Sequence, residues 1–149
     1  MGTYANLIFH IVFGTKNRVP MITPKLETEL YPYIGGITRE EDGIMLSING
    51  TEDHVHIVAK LKPRHSIPEI LKRIKGNSSK WINDNKKIGG RFSWQIGYGI
   101  FSVSESQLPS VLGYVANQKK HHQKKTFEEE FIQLLEKHGI EYDPKYLWE

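Results

Sequence analysis

Residues 50–61 read Gly-Thr-Glu-Asp-His-Val-His-Ile-Val-Ala-Lys-Leu, a polar turn that leads into an alternating run. Such a run predicts a β-strand over His54–Leu61, whose successive side chains point to opposite faces of a sheet. The predicted apolar face consists of Val55, Ile57, Ala59 and Leu61, and the opposite face of His54, His56, Val58 and Lys60. Two imidazoles two residues apart on a strand share a face, so His54 and His56 are expected side by side.

The segments around this strand predict the rest of a small sheet. The predicted strands are Tyr4–Phe13, Ile44–Ile48, His54–Leu61, and a fourth strand or short hairpin within Phe92–Val103. A helix capped by Thr23 is predicted from Pro24 to about Glu41, with a possible break at Gly35-Gly36, and a capping box at Ser66-x-x-Glu69 opens another. The order β-α-β-β-α-β predicts an α+β fold, the ferredoxin-like split β-α-β sandwich, with an antiparallel sheet and helices on one face.

Two C-terminal helices are predicted after the sheet. Ser104-x-x-Gln107 has the pattern of a capping box and predicts one helix that carries both Tyr114 and Gln118. Thr126-x-x-Glu129 predicts a last helix that runs to about His138 and ends at Gly139. With no linker or repeat, residues 1–149 are predicted to form a single domain.

Composition excludes several kinds of bond and site. The chain has 38% hydrophobic and 25% charged residues and no cysteine, which excludes disulfides, thiolate metal sites and cysteine nucleophiles. No apolar run approaches the length of a membrane span, and the N-terminal residues lack a secretory pattern. We therefore expect a cytoplasmic protein.

Charge is distributed unevenly along the chain. Lys60–Arg91 holds ten Lys/Arg against two acids, Val115–Lys125 adds four lysines, and Thr126–Glu149 has seven acids against two lysines. A basic middle segment with histidines and aromatic residues favours a polyanion such as nucleic acid as partner. A solvated charged surface would give the same pattern, so charge alone leaves both interpretations open.

Four residues predict a catalytic site. His54 and His56 offer two imidazole ligands, Gln118 an amide oxygen, and Tyr114 a phenol four residues before Gln118. Together they could bind a metal and attack a phosphodiester. Each half has a simpler interpretation: the two histidines could face solvent on a half-exposed strand, and Tyr114 could pack its ring at the edge of the core. A cupin-type metal site is disfavoured because Lys60 and Lys62 occupy the region where a glutamate would be needed.

Three separated motifs resemble those of the small single-tyrosine transposases of bacterial insertion sequences, relaxase-like HUH enzymes related to the REP-associated tyrosine transposases. In order along the chain, the motifs are Gly-x-x-Asp-His-Val-His at 50–56, Leu-Lys-Arg-Ile-Lys-Gly-Asn-Ser-Ser-Lys at 71–80, and Tyr-Val-Ala-Asn-Gln-x-x-His-His at 114–122. The resemblance extends to the ending Tyr-Asp-Pro-Lys-Tyr-Leu-Trp at 142–148.

The resemblance implies a function and roles for these residues. His54, His56 and Gln118 would bind a divalent metal, Mg²⁺ or Mn²⁺, and Tyr114 would attack single-stranded DNA to give a 5′-phosphotyrosine link. The substrate would carry hairpins near the ends of an insertion sequence, and the protein would be a homodimer with shared active sites. Residues expected to contact DNA are Lys72, Arg73, Lys75, Lys80, Lys119 and His122.

Two other functions stay open at this stage. A domesticated protein that binds DNA hairpins without transposition would keep the same motifs, and so would a metal-dependent phosphodiesterase that uses water. His10 in the first strand is expected to be packed or hydrogen-bonded rather than to bind metal, and the acidic last helix could cover the basic surface of a partner subunit.

Overall fold

A computed structural model describes residues 1–148, which form one four-stranded sheet covered by helices on both faces. The elements are β1 (Leu7–Gly14), α1 (Pro24–Glu40), β2 (Ile44–Thr51), β3 (His54–Leu61), α2 (Ile67–Asp84), β4 (Gly99–Val103), α3 (Leu108–Ala116), α4 (Gln118–His121) and α5 (Phe127–Lys137). The strand order is β2-β3-β1-β4, and every neighbouring pair is antiparallel. This arrangement confirms the predicted α+β fold of the split β-α-β type.

One face of the sheet is a continuous apolar core. The side chains of Ile11, Phe13, Val55 and Ile57 on this face pack against α1 and α2. Helix α1 begins as predicted, with the Thr23 hydroxyl accepting the Leu26 amide and Pro24 in its first turn. The predicted break at Gly35-Gly36 is wrong, because α1 continues through both glycines to Glu40.

The opposite face carries α3, α4 and α5. Helix α5 has the predicted capping box, in which the Thr126 and Glu129 side chains each bond the other residue's backbone. Two glycines on the sheet make room for this helix. A Cβ on Gly14 would lie 2.7 Å from the Phe127 ring, and a Cβ on Gly99 would lie 3.0 Å from the Phe131 ring. Glycine at these positions therefore lets α5 approach the sheet closely.

The hairpin between β2 and β3 is tighter than predicted. Strand β2 extends through Gly50 and Thr51, residues that were expected to form the connection. A Cβ on Gly50 would lie only 2.1 Å from the His54 carbonyl oxygen, so the pairing of these strands requires a residue without a side chain. The fourth strand is shorter than predicted and consists of Gly99–Val103.

The predicted single helix with Tyr114 and Gln118 is divided in two. Ser104 makes no side-chain cap, a 3-10 turn precedes α3, and α3 ends at Ala116, so Gln118 begins α4. The side-chain amide of Asn49 on β2 donates to the carbonyls of Val115 and Ala116, at 3.0 and 3.1 Å. These bonds take up carbonyls at the end of α3 that a continuing helix would have paired internally.

Candidate active site

His54 and His56 lie on the face of β3 that was predicted for them, and both are completely buried, at 0% exposure. The interpretation of the pair as solvent-facing strand residues is therefore wrong. Helices α4 and α5 cover them, and the ring of Phe127 stacks on that of His54 with centroids 4.3 Å apart. Buried imidazoles need polar partners, and in both rings each of the two nitrogens has one.

The first imidazole is oriented by the hairpin turn. Nδ1 of His54 lies 2.7 Å from the Asp53 carboxylate and 3.0 Å from the Thr51 hydroxyl. Because a carboxylate only accepts, Nδ1 carries the proton and Nε2 faces the interior of the site. Burial lowers the pKa of His54, but hydrogen bonds to Asp53 and Glu130 outweigh that effect and raise it to about 9.

The imidazole of His56 is held by the imidazole of His10. Nδ1 of His56 lies 2.8 Å from Nε2 of His10, so one ring donates to the other. Burial is the main cause that lowers the pKa of His56 to about 4 and that of His10 to about 3. The pair is therefore neutral at pH 7, and His10 is hydrogen-bonded, as its sequence position indicated.

Glu130 on α5 is the centre of the site and was not identified from the sequence. Its Oε1 lies 2.8 Å from Nε2 of His56, 3.0 Å from Nε2 of His122 and 3.4 Å from Nε2 of His54. Its Oε2 accepts from the Gln118 amide at 3.0 Å and from the Tyr114 hydroxyl. Burial raises the pKa of this carboxyl, but hydrogen bonds from the three histidines hold it well below its usual range.

A sequence signal for Glu130 exists. The apolar stripe of α5 consists of Phe127, Phe131, Leu134 and Leu135. Position 130 falls on that same stripe, since residues three or four apart share a helix face. A glutamate on an apolar stripe must find polar partners when the helix packs, whereas Glu128 and Glu129 lie on other faces and are exposed.

Tyr114 lies at the edge of the same cluster. Its ring is partly buried, with its centroid 5.8 Å from that of His56 in the same chain. Burial, together with the adjacent Glu130 carboxylate, raises the pKa of the Tyr114 hydroxyl, so the phenol is protonated. Gln118 is fully buried, and its Oε1 lies 3.2 Å from Nε2 of His54. The four predicted residues therefore converge, although Tyr114 and Gln118 lie on two different helices.

These side chains can hold a metal ion. One donor atom from each of His54, His56, His122 and Glu130 lies within 4.8 Å of the others. Imidazole and carboxylate suit divalent ions such as Mn²⁺ and Zn²⁺. The bonds from Asp53 and His10 to the outer ring nitrogens are those that usually orient histidine ligands. The donor set thus fits a divalent ion.

The residues predicted to bind DNA are not all together. Lys72, Arg73, Lys75 and Lys80 lie on α2, which covers the apolar face of the sheet, away from the cluster. Lys75 donates to the carbonyls of Gln95 and Gly97 at 2.7 and 2.6 Å. Lys119 bonds Glu27 at 2.7 Å, near the site, and His122 lies inside the cluster itself.

Two cavities flank the cluster. One, of about 600 Å³, lies between β4, α3 and α5 and is lined by His10, Ser102, Tyr114, Glu130 and Lys137. The other, of about 560 Å³, is lined by Asp53, His122 and three lysines, Lys119, Lys124 and Lys125. The cluster is therefore reachable from two sides. The second opening carries acids as well as its three lysines, since Glu27, Glu52, Asp53 and Glu129 also line it.

Comparison with known proteins places these residues in context. The family model described as "Transposase IS200 like" matches residues 3–118. The ISDra2 transposase TnpA of Deinococcus radiodurans is 23% identical over 122 residues, covering 78% of this chain and 87% of the relative. Glu130 and His122 lie beyond the matched residues of the family model.

Solved structures show the same fold. A crystal structure of a candidate transposase from Deinococcus radiodurans superposes with a TM-score of 0.63 and 23% identity, over 79% of this chain and 95% of that one. A REP-associated tyrosine transposase bound to a REP hairpin superposes with a TM-score of 0.62 and 12% identity, over 82% of this chain and 74% of that one. Within residues 1–148, the structure contains no helix long and apolar enough to cross a membrane.

Proposed function

This chain belongs to the IS200-like transposase family, and from that premise we propose that it cleaves and rejoins single-stranded DNA at the ends of an insertion sequence through Tyr114. The observation that carries the proposal is the meeting of four side chains. Tyr114 and Gln118 both bond Glu130, whose other oxygen contacts His54 and His56. A nucleophile and a set of metal donors therefore lie within one buried cluster.

A divalent ion, Mg²⁺ or Mn²⁺, supplies positive charge that polarises a phosphate and offsets charge that develops on it. His54, His56 and Gln118 would hold it, with Asp53 and His10 fixing the orientation of the two imidazoles. Burial and the Glu130 carboxylate raise the pKa of the Tyr114 phenol and keep it protonated, and the ion's charge would offset that of Glu130. Tyr114 thus needs a loaded site to become a nucleophile.

The bond changes in the proposed reaction balance without another reactant. The Tyr114 phenol oxygen forms a bond to phosphorus, and the bond from phosphorus to the 3′ oxygen breaks. The phenol proton ends on solvent, and the 3′ oxygen leaves as a hydroxyl once it is protonated. The 5′-phosphotyrosine link conserves the bond energy of the phosphodiester, so attack by another 3′-OH rejoins the strand.

A hairpin substrate is supported by a neighbour of the same fold, which was solved bound to a REP hairpin. The basic residues Lys119, Lys124 and Lys125 line a cavity beside His122 and suit a phosphate backbone. The α2 residues Lys72, Arg73 and Lys80 stay predicted contacts for the hairpin stem. A homodimer with shared active sites stays a prediction as well, which light scattering with and without DNA tests.

The decisive experiment compares Tyr114→Phe with the wild-type protein on a labelled single-stranded oligonucleotide that carries a hairpin, with Mg²⁺ or Mn²⁺. The variant keeps the ring and loses only the hydroxyl. Tyr142→Phe is the matched control, because its hydroxyl bonds the exposed Glu136 and none of the residues of the cluster. We expect a covalent adduct on a denaturing gel for the wild type and Tyr142→Phe, and none for Tyr114→Phe.

Other outcomes identify other functions. Cleavage by the wild type without an adduct would indicate a phosphodiesterase that uses water, and hairpin binding with neither would indicate a DNA-binding protein without transposition. An adduct that persists in Tyr114→Phe would place the nucleophile elsewhere and overturn the proposal.

A further inference from the structure

We infer that the C-terminal helices complete the metal site: Glu130 on α5 and His122 at the end of α4 are ligands in addition to the pair on β3, and they make the site selective for Mn²⁺ and similar transition ions over Mg²⁺. The inference rests on the proposed function and deepens it, because it assigns ligands outside the region that the family model matches. It also links the nucleophile to the metal through one carboxylate.

The first argument concerns the number of groups that face one oxygen. Three imidazole nitrogens, from His54, His56 and His122, lie within 3.4 Å of Glu130 Oε1. A carboxylate has about four lone-pair sites on its two oxygens, so one oxygen accommodates about two donors. Oε1 accepts hydrogen bonds from His56 and His122. Nε2 of His54 bonds Gln118 Oε1 at 3.2 Å and still lies 3.4 Å from Oε1 of Glu130, so all three rings direct a nitrogen at one point.

The second argument concerns the spacing of the donor atoms. Ligands held at about 2.1 Å from an ion lie about 3.0 Å apart in octahedral and about 3.4 Å apart in tetrahedral geometry. The separations between Oε1 of Glu130 and the three nitrogens are 2.8, 3.0 and 3.4 Å. All four donor atoms lie within 4.8 Å of one another, and the rings would have to close by the remaining distance for these atoms to share an ion.

The third argument concerns the outer atoms of the ligands. Nδ1 of His54 is bonded to Asp53, and Nδ1 of His56 is bonded to His10, so each ring directs Nε2 at the cluster. The second oxygen of Glu130 is held by the Gln118 amide and by the Tyr114 hydroxyl. Glu130 can therefore bind an ion through Oε1 while Oε2 fixes the position of the phenol.

The donor chemistry sets the choice of ion. Three imidazoles and one carboxylate suit Mn²⁺, Co²⁺ and Zn²⁺, whereas Mg²⁺ favours sites dominated by oxygen and water. All four side chains are buried or nearly so, with side-chain exposures of 0% for His54 and His56, 3% for Glu130 and 10% for His122. Such a site would bind a transition ion with few retained waters.

The test measures binding of Mn²⁺ alone, by calorimetry and by electron paramagnetic resonance, without DNA. The variants are Glu130→Gln, His122→Ala and His54→Ala, with Glu136→Gln as the matched control on the exposed face of the same helix. We expect the affinity for Mn²⁺ to fall about tenfold or more in the first three variants, because loss of a residue that only orients a ligand already lowers metal affinity by that much. The affinity should stay unchanged in the control. His122→Ala should reduce the preference for Mn²⁺ over Mg²⁺.

A measurement on the wild type covers the case in which a variant does not fold. Pulsed electron paramagnetic resonance of the Mn²⁺-loaded protein counts coordinated imidazole nitrogens, and we expect three. A count of two would overturn the inference, and so would unchanged or tighter Mn²⁺ binding by a folded Glu130→Gln. If His54→Ala lost Mn²⁺ binding in the same experiments, the proposed metal site would still stand. Full binding by His54→Ala would contradict the proposed metal site itself.

Discussion

The two faces of the sheet are equally buried but are covered in different ways. Strand β3 contributes to both, and Val55, Ile57, His54 and His56 are all 0% exposed. The face under α1 and α2 is closed by aliphatic and aromatic side chains. The face under α3 to α5 has apolar clusters as well, including Val12, Phe101 and Phe131, but they surround imidazoles, an amide and a carboxylate that need one another as partners.

This difference separates stability from chemistry within one strand. Burying apolar side chains stabilises the fold directly, whereas a buried polar cluster must recover the cost of its desolvation through its own hydrogen bonds. The polar face is therefore the part of the molecule in which substitutions should alter metal and DNA chemistry. The apolar face holds the largest cluster of buried apolar side chains and should contribute most to the stability of the fold.

The largest loss of stability is expected at the β2–β3 hairpin, because both faces of the sheet depend on the backbone of β3. Gly50→Ala would place a Cβ 2.1 Å from the His54 carbonyl oxygen and so disrupt the hairpin that positions β3. We expect a loss above about 4 kcal/mol of unfolding free energy, measured by urea denaturation. In Gly76→Ala on α2 nothing lies within 4 Å of the new Cβ, and that control should gain about 0.5–1 kcal/mol.

The next comparison replaces two adjacent residues of β3, one from each face of the sheet. Ile57→Ala on the apolar face should cost about 2–5 kcal/mol, because it leaves a cavity in a packed core. Wherever the variant stays folded, it should bind Mn²⁺ like the wild type. His56→Ala should abolish Mn²⁺ binding, and calorimetry on both variants checks the contrast. Equal loss of Mn²⁺ affinity in the two folded variants would contradict the division between the faces.

Acid should destabilise the metal-free protein through its polar face. Burial lowers the pKa of His10 to about 3 and that of His56 to about 4, so between pH 6.5 and 4 the unfolded chain binds more protons than the folded one. Stability must therefore fall as the pH drops through that range. The stability that His54 gains by its raised pKa is complete below pH 6.5 and is lost only as the pH rises toward 9. Urea midpoints across this range test the sign, and His10→Gln should flatten the acid limb.

The smallest effects are expected on the exposed side of α2. Lys75→Ala removes bonds to the carbonyls of Gln95 and Gly97 and should cost about 1 kcal/mol, whereas Lys72→Ala should change stability by less than about 0.5 kcal/mol. If α2 contacts hairpin DNA, replacing Lys72, Arg73 and Lys75 together should flatten the salt dependence of binding. An unchanged slope would mean that this side of α2 is only solvated surface.

The elements that local sequence determines were predictable. The alternation in β3 gave its bounds and its two faces, and Thr23 and Thr126 marked the starts of α1 and α5. The end of α3 was not predictable in this way. It depends on Asn49, which is 66 residues away from Val115 in sequence and caps the helix only once β2 has folded.

The proximity of the candidate residues was predictable where they stand in short motifs. His54, His56, Tyr114 and Gln118 belong to such motifs, whereas Glu130 stands in a run of three glutamates and differs from its neighbours only by its place on the apolar stripe of α5. Its identity as a buried ligand candidate depends on how α5 packs on Gly14 and Gly99, which is a tertiary property. His122 was assigned to phosphate for the same reason, because the sequence does not show which way α4 turns it.

The position of Glu130 on α5 also sets the order in which the centre forms during synthesis. His56 is joined to a carboxylate 74 residues further along the chain. On the ribosome, the sheet, both helices of its apolar face and Tyr114 emerge before α5 does. A nascent chain can therefore fold its scaffold while Tyr114 and the imidazoles still lack the Glu130 carboxylate, and chains that terminate before residue 130 carry the motifs without a closed cluster.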